Sequence, residues 1–132
     1  MRRQKASSLE RKPSLPSKDE HLSKARENQA FAESLLTGGR AERQWGLIVR
    51  FYSAVHYVEA YLSGVNRGTS THAARRRAIR ERPELAAVAA PFNELYNLAW
   101  NARYLCLACP LEDVVRAHDI LIKVQGHIES LL

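Results

Sequence analysis

Residues 41–63 read AERQWGLIVRFYSAVHYVEAYLS, and this stretch decides the fold. Trp45, Ile48, Tyr52, Val55 and Leu62 fall on one stripe at helical spacing, and Leu47, Phe51, Ala54, Val58 and Tyr61 fall beside it. Apolar residues over so much of the circumference predict a central, largely buried helix from Ala41 to Ser63, closed by Gly64. Such a helix must be wrapped by others, and the flanking sequence supplies them.

Upstream, Ser17 followed three residues later by Glu20 matches a capping box. Leu22, Ala25, Ala32 and Leu35 continue at helical spacing until Gly38-Gly39. Downstream, Asn66-Arg67-Gly68 marks a turn, and Thr69, Ser70 or Thr71 can cap a short helix rich in arginine that Pro83 breaks. Pro91 is expected at the first turn of a fourth helix, Pro91 to about Cys106, burying Phe92, Leu95, Ala99 and Ala102 with Trp100 and Tyr104 alongside. Pro110 starts the last helix, whose stripe is Leu111, Val114, Ala117 or His118, Leu121, Val124, Ile128 and Leu131. No stretch alternates as a strand would. The expected fold is all-α, an antiparallel four- to five-helix bundle over residues 17–132. Residues 1–16, with Pro13, Pro16 and little to bury, are expected to be a flexible basic tail.

A chain of 132 residues, 45% hydrophobic and 26% charged, suits one globular domain. No apolar run approaches the roughly 20 residues of a membrane span. The start lacks the apolar stretch of a secretory signal, so a cytoplasmic location is expected, although its Arg- and Ser-rich character also fits an organelle transit peptide. Cys106 and Cys109 give no disulfide framework, and half of a zinc site without a second pair calls for no metal; two small buried thiols are expected.

The formal net charge of +6 is unevenly placed. Residues 1–18 carry +5, residues 67–82 carry +5, and the remainder carries −4. The bundle is therefore slightly acidic, with one basic helix and one basic tail. Arg67, Arg76, Arg77 and Arg80 are candidates for phosphate contacts, since the planar guanidinium suits phosphate. The alternative for these residues is a solvated helix face.

His56 and Glu59 lie three apart within the most apolar helix, so they share a face. A buried carboxylate must be paired, and Arg75 or Arg103 is the expected supplier. The group is either a structural hydrogen-bond network or a polar site opening at the bundle surface. The site expectation gathers His56, Glu59, His72, Arg75, Arg103 and Tyr104. In such a site His56 or His72 could serve as a base near neutral pH, and Arg75 or Arg103 could stabilise charge developing on a phosphate.

Trp45, then Phe51 to Leu62 (FYSAVHYVEAYL), then Thr71-His72-Ala73-Ala74-Arg75, then Tyr96 to Tyr104 (YNLAWNARY), in that order, resemble HEPN-type proteins of prokaryotes. The resemblance covers about residues 20–130. It implies a four- or five-helix bundle, commonly a homodimer, without a cofactor. It also implies either a metal-independent endoribonuclease of a toxin–antitoxin or defence system, or an inactive module binding nucleic acid, nucleotide or a partner protein such as an antitoxin. Active members carry an arginine followed, after four to six intervening residues, by a histidine. Arg50 to His56 and Arg67 to His72 fit that spacing. Active members usually place the pair near the start of a late helix, and nothing after Arg103 supplies it.

Overall fold

The computed structural model describes residues 14–105 and 109–132. Among these residues five α-helices and no strand are found: α1 (Lys18–Ser34), α2 (Arg40–Gly64), α3 (His72–Glu81), α4 (Ala86–Tyr104) and α5 (Leu111–Leu131), with a 3₁₀ turn at Pro83–Leu85. The chain is an all-α bundle. Helix α2 is central, packing against α1, α5 and α4, while α3 lies on α4. Its buried residues include Leu47, Phe51, Ala54, Val58 and Leu62, as expected of a helix apolar nearly all round. No helix is long and apolar enough to cross a membrane.

The ends are built by local chemistry. Ser17 accepts from the Glu20 amide at 3.1 Å while the Glu20 carboxylate accepts from the Ser17 amide at 2.9 Å, completing the capping box of α1. At the far end of α2 the left-handed residue is Asn66, at φ 59°, and the Arg67 amide then closes onto the Leu62 carbonyl at 2.7 Å. Asparagine tolerates that conformation because its short side chain costs little there. Thr71 caps α3 by accepting from the Ala74 amide at 3.1 Å.

Three expectations need correction. Pro91 lies inside α4, which begins five residues earlier at Ala86. Alanines at 86, 87, 89 and 90 carry the helix into the proline, and the carbonyl that Pro91 cannot bond belongs to the exposed Ala87, where water reaches it. Trp45, placed on the buried stripe, is 58% exposed, because α2's first turns are packed on fewer sides than its middle. Leu111 is 56% exposed at the first turn of α5, although Val114, Ala117, Leu121, Val124 and Ile128 are buried as read. Of the expected tail, residues 1–13 lie outside the described residues, and Ser14, Leu15 and Pro16 run exposed into α1. Of the two cysteines, Cys106 lies outside the described residues; Cys109 is buried, and burial pushes its thiol pKa up.

Candidate functional site

The site grows from one buried carboxylate. Glu59 is 1% exposed in the last two turns of α2. Three donors converge on it: the Thr69 amide at 2.7 Å, the Thr69 hydroxyl, and Arg75 Nε at 2.7 Å. Of the two expected suppliers of positive charge, Arg75 takes the role, and the turn after α2 closes over the pair.

Arg75 reaches further. Its Nη1 lies 3.1 Å from Nδ1 of His72, one turn earlier in α3. A guanidinium only donates, so Nδ1 is the acceptor, and a neutral His72 carries its hydrogen on Nε2. The ring sits among aromatics, with centroids 5.6 Å from Phe51, 5.9 Å from Tyr96 and 6.3 Å from Tyr52. Burial lowers the pKa of His72, and the positive charges of Arg75, Arg103 and Arg76 lower it further. The imidazole is thus held neutral, with an Nε2–H donor, in a positive field.

Arg103 approaches from α4. Its Nη1 donates to the Tyr52 hydroxyl at 2.8 Å, and its guanidinium lies 5.8 Å from the Tyr52 ring and 5.1 Å from the Tyr104 ring. Arg76 stacks on Tyr96 at 4.6 Å. The Nε atoms of Arg76 and Arg103 are buried and have no hydrogen-bond partner among the described residues. Glu59 neutralises Arg75, so among the described residues two guanidiniums around His72 have no acidic partner. Such a wall of donors and rings suits a phosphate ester carrying a base.

The remaining expected residues fall elsewhere. His56 pairs with His21 on α1, Nδ1 to Nδ1 at 2.9 Å, close enough to the Glu59–Arg75 pair to feel its charges. Burial and the neighbouring His21 push the His56 pKa down to about 4, and burial also lowers that of His21. Tyr104 is exposed and packs on Trp100 with ring centroids 5.1 Å apart, so it flanks Arg103 instead of joining the buried network. Arg67 folds back onto the Asn66 carbonyl at 3.2 Å, and Arg77 pairs along α3 with Glu81 at 2.8 Å. Arg80 is exposed on α3.

Neither arginine–histidine pair forms a joint site. Arg50 and His56 are six residues apart, about 240° around the helix, and Arg50 reaches Glu33 at 3.5 Å instead. Arg67 stands in the exposed turn. Among the described residues no three His, Cys, Asp or Glu side chains are grouped as metal ligands would be.

The sequence reading missed Tyr52 and Tyr96 as site walls, His21 as the partner of His56, and the burial of Arg50. His21 had a signal, lying four residues before the buried Ala25 and thus on the inward face of α1, and Tyr52 stood on the apolar stripe of α2. No protein-family model matches the chain, and no curated protein matches it at a significant level.

Proposed function

We propose that this chain is an RNA-acting, HEPN-like domain that grips a phosphodiester at His72. The observation that carries the reading is the placing of one neutral imidazole between Arg75, Arg76 and Arg103 on an aromatic wall. The Nε2–H of His72 suits a non-bridging phosphate oxygen, and Arg76 and Arg103 suit the charge around it. The sequence resemblance supports the same reading. It also supports a homodimer and a toxin–antitoxin or defence setting, with an antitoxin or defence protein as partner. Exposed Phe31, Trp45 and Trp100 are apolar surface available to such contacts.

Metal-independent endoribonuclease is the candidate activity. In that reaction the 2′-oxygen attacks phosphorus and gives its proton to a base, and the 5′-oxygen leaves with a proton, forming a cyclic phosphate and a 5′-hydroxyl. His72 can act as that base only if Arg75 releases Nδ1 to carry the proton. The second reading, a non-catalytic binding module, is favoured by this hydrogen bond and by the separate pairing of His56 with His21.

The test is incubation of the purified protein with mixed RNA in chelator, alongside His72→Ala and His56→Ala. Cleavage in chelator that is lost only in His72→Ala supports the nuclease. Binding without cleavage, weakened by Arg103→Ala, supports the module. A protein that neither binds nor cuts RNA ends both readings.

A further inference from the structure

Beside the His72 cluster, α3 and α4 leave a cleft of about 370 Å³ between them. Its floor is apolar, built by Ile79 and Phe92, both nearly fully buried, with Ala89 at its side. Its polar groups are the guanidiniums of Arg76 and Arg80 and the amide of the exposed Asn93. Apart from Arg75, which Glu59 holds, the four arginines from 76 to 82 divide by partner. Arg77 is held by Glu81 at 2.8 Å and Arg82 by Glu84 at 3.2 Å, whereas Arg76 and Arg80 have no acidic partner among the described ion pairs. The two without acidic partners are the two that line the cleft, and Arg76 Nε is buried with no hydrogen-bond partner among the described residues.

We infer that this cleft binds one unpaired nucleotide of a single strand. The base lies on the Ile79–Phe92 floor, its edge meets the Asn93 amide, and its phosphates lie against Arg76 and Arg80. Volume, apolar floor and few polar groups match a small-ligand site, and the size is on the scale of one nucleotide. Bases become available in this way only where a strand is unpaired, as in loops and ends. Arg76 forms a shared wall, because it also stacks on Tyr96, whose ring faces His72. A strand lying along α3 would thus place a phosphate at His72 and the adjoining base in the cleft. The inference rests on the RNA reading for the strand, but the cleft's own chemistry extends to a free mononucleotide.

Two measurements separate these. Chemical shifts of the ¹⁵N-labelled protein are followed on adding adenosine monophosphate or, separately, inorganic phosphate. Fluorescence anisotropy then compares a labelled single-stranded RNA with a duplex of the same sequence, using wild type, Asn93→Ala and Ala90→Trp. Ala90 lines the cleft from its exposed side, so the indole fills it without entering the core. The nucleotide should shift Ile79, Ala89 and Asn93 where phosphate alone does not. Ala90→Trp should weaken single-strand binding at least tenfold and duplex binding less than twofold.

If wild type binds RNA but Ala90→Trp and the nucleotide have no such effect, the cleft assignment is overturned and the RNA reading stands. If the nucleotide shifts the cleft but no RNA binds, the cleft is a mononucleotide site and the RNA reading falls. Equal binding of strand and duplex by every variant also overturns the inference.

Discussion

Arg75 donates through Nη1 to Nδ1 of His72 at 3.1 Å while its Nε holds the Glu59 carboxylate at 2.7 Å. One guanidinium therefore couples a buried charge to the protonation pattern of an imidazole nearer the surface. With Nδ1 occupied as an acceptor, neutral His72 keeps its proton on Nε2. ¹⁵N-NMR of the imidazole at pH 7.5 should find this tautomer in the wild type. In Arg75→Gln the fixed preference should be lost, and finding the other tautomer in the wild type would remove the basis of the proposed phosphate contact.

The same pair is a stability element. Its side chains are 7% and 2% exposed, so removing one partner strands the other without water. Arg75→Met should cost about 3–5 kcal/mol by chemical denaturation, because an unpaired buried carboxylate remains. The double variant Arg75→Met with Glu59→Met should recover much of that loss. A single-variant cost below about 1 kcal/mol would show that Glu59 is not held as described.

Acid should destabilise the fold through His21 and His56. Their Nδ1–Nδ1 bond needs one nitrogen without a proton, and the folded pKa of His56 is depressed to about 4 from the ordinary 6.5. Between those values the unfolded chain binds protons that the folded chain does not, so stability rises with pH across that window. It is fully present above pH 6.5 and is lost as pH falls towards 4. At about 1.4 kcal/mol per pKa unit, and allowing for partial solvent contact, His56 accounts for about 2–3 kcal/mol. The depressed pKa values of His21 and His72 act in the same direction. His56→Gln should flatten the urea midpoint between pH 4 and 6.5; an unchanged slope would show that His56 is not the group responsible.

What the sequence made legible follows from what physics forbids. A carboxylate on a buried stripe cannot stand alone, so a basic partner for Glu59 could be read from composition and spacing; the choice of Arg75 over Arg103 needed the turn at Thr69. Five helices were readable from caps, breakers and stripes. Trp45 was misplaced because a stripe records which face is apolar and not how many helices cover it. The pairing of His56 with His21 was not legible because a neutral imidazole can be satisfied by many donors or acceptors, so burial alone selects none. Arg50 was harder still: nothing in GLIVRFYS announces that its guanidinium is 1% exposed.

That arginine yields a prediction opposite in sign to Arg75. Nε and Nη1 of Arg50 are buried without partners among the described residues, and Nη2 meets Glu33 only at 3.5 Å. Burial accordingly lowers its pKa. The Glu33 side chain is 46% exposed, so losing Arg50 leaves that carboxylate in contact with water. Replacing a poorly satisfied buried charge with an apolar side chain of similar length is often neutral or stabilising by about 1–4 kcal/mol. Arg50→Met should therefore hold or raise the thermal midpoint. A loss above about 2 kcal/mol would mean that the guanidinium gains more from its surroundings than these contacts provide.

The last prediction separates the arginines that face the site from those that decorate α3. Each phosphate neutralised on a single strand contributes about 0.7 to the slope of log affinity against log salt. Among the described residues neither Arg76 nor Arg103 has an acidic partner, and both have rings behind them, so a phosphate would supply the missing negative charge. Arg77 already satisfies its Nε on Glu81 at 2.8 Å and points to solvent, with both side chains well exposed. Binding of a single-stranded RNA measured from about 50 to 200 mM salt should therefore show slopes reduced by about 0.7 in Arg76→Ala and in Arg103→Ala. Arg77→Ala should lower the slope by well under half of that. Tyr52→Phe should act on the same term as Arg103→Ala but more weakly, because the hydroxyl accepts from Arg103 at 2.8 Å and only positions it. If all three arginine variants lower the slope equally, the basic helix binds as a uniformly charged surface and the His72 cluster has no special place in recognition.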